Sequence, residues 1–145
     1  MQVKIQKLKS MAKIPTYGST EAAGADLYAC LEETVQIEAG QTVLIPTGIA
    51  IELPLNTVGL VYARSGLATK SNLAPANKVG VIDSDYRGEI FVPLHNHGQT
   101  VQIIEPQTRI AQLIVTPYIT ATFEEVENLN TTARGTGGFG STGKK

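Results

Sequence analysis

The sequence predicts an all-β domain with one short helix, and three observations carry that prediction. Apolar residues alternate at period two in several stretches: Val3 and Ile5, Val35 and Ile37, Val43 and Ile45, Ile49 with Ile51 and Leu53, Val101 and Ile103. Turn-forming stretches separate them at short intervals. Helical periodicity is scarce. Many short strands at this spacing imply a β-sandwich, jelly roll or barrel, and 145 residues make one domain large enough to bury a real core.

From the N-terminus, Val3 and Ile5 open the first strand, and LYAC (27–30) reads as another. Val35 with Ile37 precedes the turn Glu38-Ala39-Gly40, and Val43 with Ile45 precedes Pro46-Thr47-Gly48. Ile49, Ile51 and Leu53 run into Pro54-Leu55-Asn56. VGLVY (58–62), IFVPL (90–94) and IAQLIV (110–115) are more continuous, as in strands covered on both faces. SGLATKSNL (65–73) breaks the alternation and predicts the helix. Residues 79–92, VGVIDSDYRGEIFV, read as a hairpin with its tip near Tyr86 to Gly88. Turns at Asn96-His97-Gly98 and Glu105-Pro106-Gln107 frame Val101 and Ile103. In RIAQLIV, simple alternation puts Arg109, Ala111 and Leu113 on one face and Ile110 and Gln112 on the other. A domain of residues 1–129 is expected, followed by a mobile arm of residues 130–145 with five glycines and one large apolar side chain, Phe139.

A net charge of −1 argues against a general nucleic-acid or membrane-surface partner, and no apolar run approaches a membrane span. Cys30 is the only cysteine, so no intrachain disulfide is possible, and a reducing cytoplasm is the expected compartment. The N-terminal residues lack the apolar run of a signal peptide. With one Cys and only His95 and His97, no transition-metal set is recognisable, and a metal would be a hard cation held by oxygens. The four arginines, Arg64, Arg87, Arg109 and Arg134, each sit in a stretch rich in Gly, Ser, Asp or Gln, whereas the eight lysines cluster at the ends and in loops. A guanidinium suits bidentate phosphate recognition.

Four stretches have chemical potential. Asp83 closes the apolar Val81-Ile82 run, where a carboxylate partly shielded from water is suited either to general-base work or to turn formation. Arg64, Ser65 and Gly66 open the expected helix as a compact anion site or, more plainly, as a cap by Ser65. Asp26 stands amid small residues, and Gln112 is a polar side chain in an apolar strand, which needs a partner if buried. GFGSTGK (138–144) approaches a phosphate-cradling loop, but Lys145 stands where that loop needs Ser or Thr.

In order, AGADLYA, ARSGLA, GVIDSDYRGEI, RIAQLIV and RGTGGFGSTG resemble the five motifs of the trimeric deoxyuridine triphosphatases (dUTPases), across residues 23–143. Ala63 departs from that pattern, which often has proline there. The resemblance implies a jelly roll, a homotrimer with active sites at subunit interfaces, and hydrolysis of dUTP to dUMP and pyrophosphate with Mg2+ on the triphosphate. It assigns Asp83 as the base that deprotonates the attacking water, and Asp26 as a holder of Mg2+ through coordinated water. Arg64, Ser65, Gly66 and Gln112 would serve the phosphates. Asn77, Val81, Ile82 and Phe91 would read uracil, and Tyr86 would lie under the deoxyribose. Arg134, Phe139, Gly140, Ser141 and Thr142 would close from another subunit, with Phe139 over the base. The related dCTP deaminases, bifunctional forms included, are the alternative enzymes, and a non-catalytic nucleotide-binding trimer is the alternative outside catalysis.

Overall fold

The computed structural model describes residues 1–138, with twelve strands and one helix among them. They run β1 (Lys4–Lys7), β2 (Thr16–Tyr17), β3 (Ala25–Tyr28), β4 (Val35–Ile37), β5 (Thr42–Pro46), β6 (Ile49–Glu52) and β7 (Thr57–Tyr62). After α1 (Ser65–Ser71) come β8 (Leu73–Pro75), β9 (Gly80–Ile82), β10 (Phe91–Asn96), β11 (Gln102–Ile104) and β12 (Arg109–Pro117). Strands dominate, as the alternation predicts. The main sheet has the order β2-β3-β12-β7-β9, a second has β5-β10-β8, and two ribbons pair β1 with β6 and β11 with β4.

All four sheets face one core. Leu27, Val61, Ile82, Ile110 and Leu113 of the main sheet meet Ile45, Leu73, Val92 and Leu94 of the second, with Ile37, Ile49, Ile51 and Ile104 from the ribbons. Burying side chains of this size stabilises by roughly 1.5–3 kcal/mol each before entropy is counted. Cys30 packs there as a free thiol, and burial raises its pKa. It is therefore an apolar filler, not a nucleophile. Thr47, the other buried group at this corner, donates its hydroxyl to Ile90 O at 2.6 Å and so ties the β5–β6 turn to the start of β10.

Helix α1 begins at Ser65 and is halted by Asn72, whose φ of 53° puts it in the left-handed region and sends its N–H to Leu67 O. The residue at the N-cap is Arg64, with no side-chain cap, so Ser65 does not cap the helix. Among the described residues no helix is long and apolar enough to cross a membrane.

The expected hairpin is corrected. β9 pairs with β7 in the main sheet, and β10 pairs with β5 and β8 in the second, so residues 83–90 cross between sheets. Alternation marks both strands but says nothing of their partners. Ile82 pairs with Gly59, where the missing side chain admits its bulk. After β12 the described residues form no further strand or helix, and Ile119, Phe123 and Leu129 stand almost fully exposed. The change of character expected near Leu129 falls inside this exposed stretch.

Candidate functional site

Two cavities hold nearly every described residue that the sequence singles out. The first, about 250 Å³, flanks β9 and is lined by Asn77, Gly80, Val81, Ile82, Asp83, Tyr86, Glu89 and Phe91, with Val61, Ile90 and Pro93 behind them. β9 is the edge of the main sheet, so its outer backbone N–H and C=O groups have no ladder partner and are open to a ligand. The 83–90 crossover makes the opposite wall. It is braced in three places: Tyr86 N–H donates to Asp83 O at 3.2 Å, Tyr86 Oη donates to Glu89 O at 2.9 Å, and Gly48 N–H donates to a Glu89 carboxylate oxygen at 2.7 Å. Gly88 is required for this arrangement, because a Cβ there would clash with the Tyr86 ring and hydroxyl.

Asp83 sits at the end of β9 in this cavity, exposed rather than partly shielded as expected, because the strand it follows is an open edge. No hydrogen bond or ion pair engages its carboxylate among the described residues. Arg87, close by in sequence, donates to Ser84 O at 2.7 Å and Tyr86 O at 2.9 Å, so it ties its own loop together.

The second cavity, about 220 Å³, is polar and spans β3, β12 and the start of α1. Asp26 lies at its floor, buried, with both oxygens held: Arg64 Nε donates to Oδ1 at 2.7 Å and Arg109 Nη1 donates to Oδ2 at 3.1 Å. Arg64 Nη1 also reaches Arg109 O at 3.4 Å. Gln112 donates from Nε2 to Ala63 O at 2.9 Å, which supplies the partner its half-buried amide needs. Its carbonyl end lies against Gly24, where a Cβ would collide with it. Ser65 and Gly66 form the exposed lip, with Gly18 and Ala22 opposite. Two guanidiniums and one carboxylate leave the cavity with a positive charge suited to phosphates.

Arg109 is the residue of this cavity that strand alternation misplaced. β12 pairs Arg109 with Tyr28 and Ala111 with Leu27, so Ile110 is an extra residue in a bulge. The bulge turns Arg109 onto the face of Gln112 and Asp26, which pair with each other. The signal available in the sequence was the arginine's setting, Thr108 before it and Gln112 after it, not its parity.

These side chains restrict how a divalent cation can be held. Among the described residues no group of three or more His, Cys, Asp or Glu side chains converges. Asp26 offers one carboxylate, with one lone pair still free on each oxygen. That donor set fits a hydrated Mg2+ carried mainly by substrate phosphates and does not fit an all-protein cage.

Within one chain the two cavities do not converge. Gln112 lies between Asp26 and Tyr62, while Ile82 pairs with Gly59. At about 4.8 Å per strand spacing and about 3.3 Å per residue, Asp83 and Asp26 stand roughly 20 Å apart across the sheet. Arg134 lines neither cavity and turns its Nε to Gly137 O at 3.0 Å. Phe139, Gly140, Ser141 and Thr142 lie outside the described residues.

Comparison with known proteins adds to this geometry. The family model described as dUTPase matches residues 10–143. The deoxyuridine 5'-triphosphate nucleotidohydrolase of Acinetobacter baylyi is 49% identical over 148 residues, covering 100% of this chain and 99% of that protein. The protein of the same name from Desulfitobacterium hafniense is 53% identical over 132 residues, covering 90% and 87%. Among solved structures, a variant of the Staphylococcus bacteriophage 80alpha dUTPase, determined with dUpNHpp, superposes with a TM-score of 0.89 over 98% of each chain at 26% identity.

Proposed function

The chain belongs to the dUTPase family and hydrolyses dUTP, and from that premise we propose how its two cavities divide the substrate. Uracil and deoxyribose occupy the cavity beside β9, and the β- and γ-phosphates occupy the Arg64–Asp26–Arg109 cavity, with the α-phosphorus next to Asp83. The observation that carries this reading is the unengaged Asp83 carboxylate at the end of an open strand edge. A base and a backbone reader thus share one cavity.

Uracil presents two acceptors flanking one N–H. The outward-facing N–H and C=O groups on the unpaired side of β9, together with the Asn77 amide, offer the donors and acceptor that this pattern calls for. Cytosine exchanges a donor for an acceptor and would leave buried groups unpaired, which costs about 1–3 kcal/mol for each such group. Tyr86, held by Glu89 O, lies where a ribose 2′-hydroxyl would collide. Phe91 supplies apolar surface at the mouth.

Asp83 accepts a proton from a water aligned with the α-phosphorus. As the water oxygen bonds to phosphorus, the bond to the α–β bridging oxygen breaks and pyrophosphate leaves, with dUMP retained. Arg64, the Ser65 hydroxyl, the Gly66 N–H and Gln112 hold the phosphate oxygens in line and offset the charge gathering on the leaving group. Mg2+ carried on the triphosphate would supply further charge neutralisation, and Asp26 is the side chain that would hold it, through water. Because the two cavities lie far apart on one chain, a homotrimer that brings one copy's Asp83 to another copy's Arg64 completes each site. The arm, with Arg134, Phe139, Gly140, Ser141 and Thr142, closes over the nucleotide and excludes water. Such an enzyme, placed in the cytoplasm, keeps uracil out of DNA and supplies dUMP for thymidylate synthesis.

The test compares pyrophosphate release from dUTP, dCTP, dTTP and UTP, with and without Mg2+. Release from dUTP alone, strongest with Mg2+, is the expected result. Comparable release from dCTP or UTP overturns the assignment of the β9 edge and Tyr86.

A further inference from the structure

Arg109 has no part in the reaction as described, although it reaches the floor of the phosphate cavity by a bulge that twists β12 locally. Its contacts define a narrower task than adding charge. Arg64 holds Asp26 through Nε and Oδ1 only. An arginine and a carboxylate left alone favour two parallel hydrogen bonds, one to each oxygen. Here the second oxygen is taken, because Arg109 Nη1 sits on Oδ2 at 3.1 Å. The Arg109 carbonyl also receives Arg64 Nη1, at a stretched 3.4 Å. Arg64 Nη2 keeps no partner among the described residues, in a side chain about a quarter exposed and lining the cavity.

We propose that Arg109 is a positioning residue: by occupying the second oxygen of Asp26 it prevents Arg64 from closing a bidentate pair and keeps that guanidinium available to the substrate's phosphates. The proposal rests on reading this cavity as the site of the β- and γ-phosphates. Without Arg109, Oδ2 is free, Arg64 swings to grip both oxygens, and its outward donors are withdrawn. The net charge of the cluster then falls from +1, two guanidiniums and one carboxylate, to zero. The Asp26 side chain is only 11% exposed, so water screens the competing pair weakly.

Affinities of the full-length protein for the non-hydrolysable analogue dUpNHpp and for dUMP, measured by calorimetry, separate this role from a general brace. Arg109→Ala should weaken dUpNHpp at least about tenfold, the scale of one charge-assisted hydrogen bond. It should leave dUMP, which lacks the β- and γ-groups, unchanged. Arg109→Gln, polar but uncharged and too short to replace Nη1, should do the same if the alanine variant folds poorly. Arg109→Lys, which keeps a cation on Oδ2, should recover most of the loss. Measured without Mg2+, so that the Asp26 carboxylate has no cation to serve, adding Asp26→Asn to Arg109→Ala should restore part of the dUpNHpp affinity, because a neutral amide no longer captures the Arg64 fork. Equal losses for dUMP and dUpNHpp, no loss at all, or a double variant no tighter than Arg109→Ala each overturn the proposal. Wild-type protein that binds dUMP but not dUpNHpp overturns the triphosphate reading itself, and this inference with it.

Discussion

Around the cavity beside β9 the chain offers backbone edges, apolar side chains and one free carboxylate. Around the cavity beside β3 it offers two guanidiniums bonded to one buried carboxylate, and an amide bonded to the Ala63 carbonyl. The first is built almost entirely from residues 77–93, a single stretch of chain. The second draws on residues 18–26, 64–66 and 109–112, which meet only after β3, β12 and β7 have paired. Shape and donor order come cheaply from a contiguous loop and strand. A positive cradle needs charges held apart by tertiary structure, because neighbours in sequence would neutralise or repel one another.

Substitutions in each half should fail differently. The largest effect belongs to Asp83→Asn. Turnover should fall by about 10³-fold or more with dUpNHpp affinity retained, since a base is lost and no phosphate contact is. A near-wild-type kcat would remove Asp83 as the base. Next is truncation after Ala133. It should leave the proposed trimer intact by sedimentation while kcat/KM falls on the order of a hundredfold, the cost of poor substrate placement. Full activity would make the arm an inert appendage. Two glycines then sharpen the contrast with smaller effects. Gly24→Ala pushes Gln112 off its seat and should raise KM for dUTP while leaving the preference for dUTP over UTP intact. Gly88→Ala displaces Tyr86 and should erode that preference with less change in KM, each costing about 1–3 kcal/mol as overpacking. The reverse assignment of the two phenotypes would break the division of labour.

The smallest effect lies outside both cavities. Lys4 donates to Glu52 at 2.8 Å between β1 and β6, and that hydrogen bond, with the lysine's charge, holds the Glu52 carboxyl below the usual carboxylate range. A depressed folded value means the pair stabilises above the unfolded pKa and is lost as pH falls through the folded one. Glu52→Gln should therefore lower Tm slightly near neutral pH, and the difference should vanish in acid. A constant difference across pH would show the pair contributes nothing electrostatic.

Much of this was legible beforehand. Period-two alternation located most strands, and the break at SGLATKSNL located α1, because both signals are local. The residues lining the cavity beside β9 were picked out through their resemblance to a family motif, which a contiguous stretch of chain makes possible. The partners of β9 and β10 were not, since alternation marks a strand without naming what it pairs with. Arg109 was hidden by a similar cause. A bulge inserts one residue and reverses the parity of everything before it, and nothing in Arg109-Ile110-Ala111 announces it. The clamp on Asp26 was invisible too, for it joins residues 38 and 83 positions away.

The roughly 20 Å between Asp83 and Asp26 has a genetic consequence. If each site joins one copy's carboxylate to another copy's cradle, lesions in the two halves are separable alleles. A cell expressing Asp83→Asn beside Arg64→Ala would regain activity at the sites where an intact Asp83 meets an intact Arg64. A cell expressing two Asp83 lesions would regain none. Complementation between alleles of one gene would then map which residues share a chain and which share a site.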